Sequence, residues 1–348
     1  MPAPPGRCPG CGTELAQGLV ACPSCRRLLF ADRLRELAGT ARAAERDGDI
    51  GSALADWRTA LELLPQGSTQ HRQVLASINT LSERLDAEGG RARNTARPTS
   101  RDGKKLGAVG AGLAGVALLV WKFKFAIGFL LTKGKLLLLG LTKSGTLLSM
   151  LLSFGVYWTV WGWPFALGLV LSIYVHEMGH VVALKHYGIR ASAPMFIPGI
   201  GAMVRLHQYP ASPREDARVG LAGPIWGLGA ALAAWGVYLA FHLPIFAAIA
   251  AVGAWINLFN LVPVWQLDGG RGFRALARRE RWLLVGMLAA AWVVTEESLL
   301  VLLLIAAGFR AAGGAAPKDS DRRTFLEYAF LVAALSALSA IPVPGIGN

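Results

Sequence analysis

Apolar runs long enough to cross a membrane recur through residues 106–348 of this 348-residue chain. About 20 mainly apolar residues suffice for a helix to span the hydrocarbon core of a bilayer. The chain as a whole is 53% hydrophobic and 16% charged, which is too apolar for an ordinary soluble domain. We therefore expect a mainly α fold, in which a polytopic transmembrane helical bundle follows a more polar head.

Four apolar runs stand out as spans, and they cover residues 163–184, 219–241, 245–264 and 325–341. Residues 106–160 are expected to add at least one transmembrane or interfacial segment, although lysines interrupt this stretch. Residues 282–348 are expected to hold C-terminal transmembrane segments. Within them, Glu296 and Glu297 divide an apolar stretch and predict two short helices.

Basic residues at the ends of these runs predict the orientation of the bundle. Lys185 and Arg190 follow the first span, whereas Arg214 and Arg218 precede the second. The positive-inside rule places both of these ends in the cytosol. We expect a multi-pass protein of a bacterial cell membrane with a cytosolic head. The net charge of +13 fits such loops better than nucleic-acid binding, for which no reader module is recognisable.

Four cysteines within residues 1–30 predict a zinc ribbon with one structural zinc. The residues form two CxxC pairs, a spacing that lets four thiolates surround one ion: Cys8, Cys11, Cys22 and Cys25. Two disulfides or a redox pair are the alternatives, although a reducing cytosol disfavours disulfides. A closed four-cysteine site leaves no open coordination position, so its expected role is structural.

Residues 31–86 carry a pattern of small and apolar residues that resembles one tetratricopeptide repeat. A plain helical hairpin is the alternative, because such repeats normally need about three copies to bury a continuous face. Either form could bind a cytosolic protein partner. Residues 87–105 contain glycines, a proline and several basic residues, and they predict a basic linker.

His176, Glu177 and His180 form an HExxH sequence inside the first predicted span. Residues four apart lie on one face of a helix, so both imidazoles can bind one metal while the glutamate reaches a nearby water. A charge at the centre of a spanning helix costs about 2.5–3.5 kcal/mol. Such residues are usually functional, although a structural polar cluster is the alternative.

Asp268 is the best candidate for the third ligand that a hydrolytic zinc requires. It follows the apolar run 245–264, after Pro263, which ends a helix, and before Gly269 and Gly270, which predict a tight turn. A carboxylate at this place can reach the depth of the two histidines. If the two histidines are not taken into account, the alternative is that Asp268 is a turn or helix-cap residue.

The sequences HEMGH at 176–180 and NLVPVWQLDG at 260–269 together resemble the site-2 proteases, intramembrane zinc endopeptidases of the M50 class. The resemblance covers residues 161–281 as the catalytic core. It implies that His176, His180 and Asp268 bind a catalytic zinc and that Glu177 is the general base. It also implies that Asn260 positions substrate or stabilises the oxyanion. Residues 222–224 are similar to a helix start of that family.

The resemblance implies hydrolysis of peptide bonds in or near transmembrane segments of membrane proteins. Residues 192–206 could form a short edge strand or hairpin that captures an unwound substrate, with an ordinary loop as the alternative. Alternative functions are a catalytically silent membrane scaffold and a cytosolic interaction adaptor that is merely anchored in the membrane. A divalent-metal transporter is disfavoured because no related half-repeats are visible.

Overall fold

The computed structural model describes residues 6–95, 144–198, 201–204, 206–264, 267–313 and 315–343. Within these ranges the protein has eleven helices and one two-stranded antiparallel sheet. The prediction of a mainly α fold is confirmed. The segment expected within residues 106–143 and the distal part of the predicted linker lie outside the described residues.

Three helices form the head, namely α1 (Ala31–Arg46), α2 (Ile50–Glu62) and α3 (Thr69–Thr95). Asp49 begins α2 because its side chain accepts a hydrogen bond from the amide of Ser52 at 3.1 Å. Leu37, Leu54 and Ile78 meet in a buried apolar cluster between the helices. Helix α3 continues to Thr95, so the first part of the predicted linker 87–105 is helical.

Eight helices and a short hairpin form the remainder, which we call the body. In chain order they are α4 (Ser144–Trp161), α5 (Trp163–His186), β1 (Met195–Ile197), β2 (Gly201–Met203), α6 (Pro213–Phe241), α7 (Pro244–Asn260), α8 (Asp268–Arg274), α9 (Arg278–Thr295), α10 (Leu299–Ala312) and α11 (Arg322–Ser339). Helices α5 and α6 are long and apolar enough to cross a membrane, and α4, α7 and α10 contain shorter apolar stretches. The other predicted crossings stay predictions.

Helix α6 begins earlier than the sequence pattern predicted. The Ser212 hydroxyl accepts a hydrogen bond from the Glu215 amide at 3.2 Å and caps the helix, with Pro213 as its first residue. Residues 222–224 therefore lie in the middle of α6, and the expectation of a helix start there is wrong. Pro224 removes one hydrogen bond within the helix instead of beginning it.

The head packs against the body through buried polar contacts. Arg58 of α2 donates from Nε to the carbonyl oxygen of Tyr187 at 3.0 Å and forms an ion pair with Glu215 of α6. The two side chains of this pair are 3% and 1% exposed. The Tyr187 hydroxyl donates to Asp86 of α3 at 2.5 Å. These contacts fix the head against the ends of α5 and α6.

Replacing Arg58 with Met should destabilise the protein by about 3–5 kcal/mol, because Glu215 would remain buried without its partner. Thermal or denaturant unfolding in detergent would measure the loss. Arg190→Met is the matched control, since it breaks the more exposed ion pair with Glu62 and should cost about 0–1 kcal/mol. Adding Glu215→Leu to Arg58→Met should recover most of the loss. Equal effects of the two single variants would contradict a buried ion pair.

Candidate metal centre

Three side chains from two separate helices converge inside the body. His176 and His180 lie one turn apart on α5, and Asp268 is the first residue of α8. The Nε2 atoms of the two histidines are 3.2 Å apart. Asp268 Oδ2 lies 3.2 Å from His176 Nε2 and 3.3 Å from His180 Nε2. All three residues are buried. The sequence prediction placed the same three residues together.

These separations fit a single zinc ion. Nitrogen or oxygen ligands at about 2.0–2.2 Å from a tetrahedral zinc are about 3.3–3.6 Å from one another. The three donor atoms therefore lie at the edge length of such a tetrahedron. Three protein ligands also leave the fourth position for water or substrate, as hydrolytic zinc sites require.

Asn257 of α7 orients His176, and sequence reasoning missed it. Its Nδ2 donates to the carbonyl oxygen of Gly253 at 2.7 Å, so its Oδ1 is the atom that faces His176 Nδ1, also at 2.7 Å. His176 must then carry its proton on Nδ1, which leaves the lone pair of Nε2 for a metal. The Val219 carbonyl oxygen lies 2.8 Å from Nδ1 of His180 and accepts its proton in a hydrogen bond, which likewise leaves Nε2 of His180 for a metal.

Glycines on α6 let this helix pass directly against the site. A Cβ added at Gly223 would lie 2.2 Å from Nε2 of His180 and 2.7 Å from Nε2 of His176. A Cβ at Gly227 would lie 1.9 Å from Oδ1 of Asn257. Any side chain at either position would displace a histidine or its hydrogen-bond partner. The two glycines thus provide the space in which the site forms.

Asp268 reaches the histidines because the chain folds tightly after α7. The Tyr328 hydroxyl of α11 donates to the carbonyl oxygen of Leu261 and holds this connection. A Cβ at Gly269 would lie 1.9 Å from that same carbonyl oxygen, so only glycine allows this approach. Gly269 and Gly270 lie in the first turn of α8, not in the tight turn that the sequence predicted.

The site opens into a cavity of about 1350 Å³. Glu177 and Asn260 line it together with Asp268, and strand β2 contributes Gly201 and Ala202. Glu177 is 6% exposed, and no hydrogen bond from a described residue reaches its carboxylate. The Asn260 side chain likewise has no hydrogen bond to a described residue, and no contact joins it to either histidine.

Comparison with known proteins connects this geometry to one protein family. Residues 164–244 match the sequence model of peptidase family M50. The chain is similar to family M50 over this stretch, which we call the M50 domain. The match includes the HExxH sequence and confirms the resemblance to site-2 proteases. Asp268 and Asn260 lie beyond the matched residues, and the structure alone brings Asp268 to the histidines of the M50 domain.

Two relatives support the M50 assignment. A zinc metalloprotease of Methanocaldococcus jannaschii is 26% identical over 117 residues, which cover 32% of this chain and 34% of the relative. Stage IV sporulation protein FB of Bacillus subtilis is 29% identical over 106 residues, covering 30% of this chain and 36% of the relative. This chain therefore aligns with about a third of each relative.

The four cysteines form a second candidate metal site, outside the M50 domain. Cys8 and Cys25 have their Sγ atoms 3.6 Å apart, as do Cys11 and Cys22. Thiolates at about 2.3 Å from a tetrahedral zinc would be about 3.8 Å apart. A hydrogen bond with the Thr13 hydroxyl lowers the pKa of the Cys11 thiol to about 6, which favours the thiolate form that binds metal.

Replacing Asn257 with Ala should weaken zinc binding at the candidate metal centre about 10–100-fold, because His176 would lose the acceptor that fixes its tautomer and ring orientation. Competition with a zinc chelator, in protein whose four cysteines are changed to serine, would measure the affinity. Asn260→Ala is the matched control on the same helix and should bind zinc as the parent protein does. Unchanged affinity in Asn257→Ala would rule out the orienting role.

Proposed function

We propose that the protein is a multi-pass zinc metallopeptidase that hydrolyses peptide bonds in or near transmembrane segments of membrane proteins. One observation carries this proposal: His176, His180 and Asp268 converge beside the Glu177 carboxylate in a cavity large enough for an extended peptide. The M50 domain and both relatives support a zinc metallopeptidase.

The chemistry follows from the side chains around the cavity. His176, His180 and Asp268 would hold zinc, which supplies Lewis-acid activation of water and of a peptide carbonyl. Glu177 lies on the same helix as the histidines and is free to take a proton from the attacking water. Glu177 then delivers this proton to the nitrogen of the leaving amine. Asn260, which lines the cavity, contacts the peptide in this proposal.

A membrane location explains the outer surface of the body. Large apolar side chains are highly exposed there, among them Leu148 (70%), Val294 (82%) and Phe309 (77%). Exposed apolar area on this scale is costly in water, but lipid tails cover it without penalty. With the arginines at the ends of the helices, this surface supports a multi-pass body with the head in the cytosol.

Strand β2 offers a means of holding the substrate. The Phe196 amide of β1 donates a hydrogen bond to the Ser149 hydroxyl of α4 at 3.1 Å, so α4 covers the β1 side of the hairpin. Gly201 and Ala202 of β2 face the cavity instead. A substrate helix hides its carbonyls in its own hydrogen bonds and must unwind before attack. Pairing with β2 would stabilise the unwound segment.

The head supports one wall of the same cavity and could gate it. Arg58 Nη1 donates to the carbonyl oxygen of Tyr209 at 3.4 Å. Its ion-pair partner Glu215 accepts from the Ala211 amide at 2.5 Å. Both Tyr209 and Ala211 line the cavity. A cytosolic partner that moved the head would therefore move this wall, while a second zinc at the four cysteines would stabilise the head itself.

Metal content is the first test of this function. Protein whose four cysteines are changed to serine should retain about one zinc per chain, because the intramembrane site is independent of the ribbon. Adding Asp268→Ala should remove this zinc, which elemental analysis of purified protein would show. Absence of metal in folded protein that retains Asp268 would refute the peptidase and favour a silent scaffold.

The Glu177→Gln variant should bind substrate without cleaving it, since it lacks the proton acceptor but keeps the metal ligands. A photoreactive residue in place of Ala202 should then crosslink to a transmembrane substrate in cells. The same residue in place of Val294, which is exposed on α9, is the matched control and should crosslink much less. Equal crosslinking at both positions would contradict capture by β2.

A further inference from the structure

A second, smaller groove lies where α8, α9 and α10 meet, and its volume is about 770 Å³. Three arginines line it, one near the end of α8, one near the start of α9 and one near the end of α10: Arg274, Arg281 and Arg310. The other described residues that line it are apolar or small, and none is Asp or Glu.

The three positive charges of this groove are poorly balanced. Asp216 accepts from Arg274 at 2.8 Å, but it also accepts from Arg271 at 2.7 Å, so one carboxylate serves two guanidinium groups. Arg281 donates to main-chain carbonyls, including those of Leu276 at 3.0 Å and Ala315 at 3.3 Å. No ion pair joins Arg281 to a described carboxylate, although it is only 3% exposed.

Arg310 has no ion-pair partner among the described residues, and most of its hydrogen-bond donors are unused. Its only side-chain hydrogen bond to a described residue runs from Nη1 to the carbonyl oxygen of Pro263 at 3.3 Å. Its guanidinium also lies 5.9 Å from the ring centre of Phe273, and that of Arg281 lies 5.3 Å from the same ring. Both positive charges thus lie within 6 Å of the centre of one ring, and an anion bound near them would relieve their mutual repulsion.

Hydrogen bonding to the C-terminal ends of helices explains the position of only some of the groove arginines. The carbonyls that Arg281 binds follow α8 and α10, where a cation is favourable. This role uses the donors of Arg281, whereas Arg310 uses one donor for Pro263 and keeps the others for a ligand. Guanidinium groups match the oxygens of phosphate, and basic pockets between membrane helices on the cytosolic side bind anionic headgroups.

We propose that this arginine groove binds a phosphate group, either the headgroup of an anionic phospholipid or a free phosphate anion. Arg310 and Arg274 provide the contacts, and Arg281 adds fixed positive charge. Pro213 and Arg274 line this groove and the large cavity alike, so the ligand would lie next to the cavity that contains the candidate metal centre. The site does not depend on peptidase activity.

Titration of the full-length protein in neutral detergent tests the site. Native mass spectrometry would follow binding of dioctanoyl phosphatidylglycerol, dioctanoyl phosphatidylcholine and sodium phosphate. We expect phosphatidylglycerol to bind more tightly than phosphatidylcholine, and Arg310→Gln to weaken its binding about fivefold. Arg322→Gln is the matched control, because Arg322 is an exposed arginine at the start of α11. It should leave the affinity unchanged.

The probes separate the two sources of phosphate. Binding of sodium phosphate that Arg310→Gln weakens indicates a free anion, whereas binding of phosphatidylglycerol alone indicates a lipid headgroup. Equal affinity of the wild-type protein for both lipids, together with no binding of sodium phosphate, would overturn the proposal, and so would equal effects of Arg310→Gln and Arg322→Gln. Arg310→Lys keeps the charge and should bind more tightly than Arg310→Gln. Retained zinc in all variants would show that they fold.

Discussion

Helices α5 and α6 cross so closely that their backbones are almost in contact, and the candidate metal centre depends on this crossing. Gly179 faces the carbonyl of Ala222, where an added Cβ would lie 2.4 Å from the oxygen. Further along α6, Gly223 and Gly227 leave room for the two histidines and for Asn257. In a membrane, where apolar burial gives no net drive for helix association, small residues and polar contacts hold helices together. The same glycines therefore serve both packing and the site.

Polar contacts reinforce this packing near the start of α6. Glu215 joins the first turn of α6 to the head, and Arg218 donates to Asp321 of α11 at 2.9 Å. Both residues are buried, so each contact fixes a position that apolar packing alone would leave loosely defined. In this way α6 connects the head, the metal centre and the last described helix.

The sequence predicted those features that depend on residues close together in the chain. The HExxH spacing gave the two histidines, because four residues make about one helical turn. An S-x-x-E pattern at residues 212–215 marks the start of α6, but the apolar run from which the helix was predicted begins only at residue 219. Asn257 could not be found in this way. Its role depends on contact with His176, a residue 81 positions away, and nothing local distinguishes it from Asn260.

The three metal ligands are synthesised at different times, because they lie in distant parts of the chain. His176 and His180 leave the ribosome well before Asp268, and Tyr328, which holds the turn that positions Asp268, comes later still. At about 5–20 residues per second, the interval between His180 and Tyr328 is roughly 7–30 s. During this time the nascent chain contains the HExxH helix without a complete ligand set. The complete set of three ligands can therefore form only when synthesis of the chain is nearly finished.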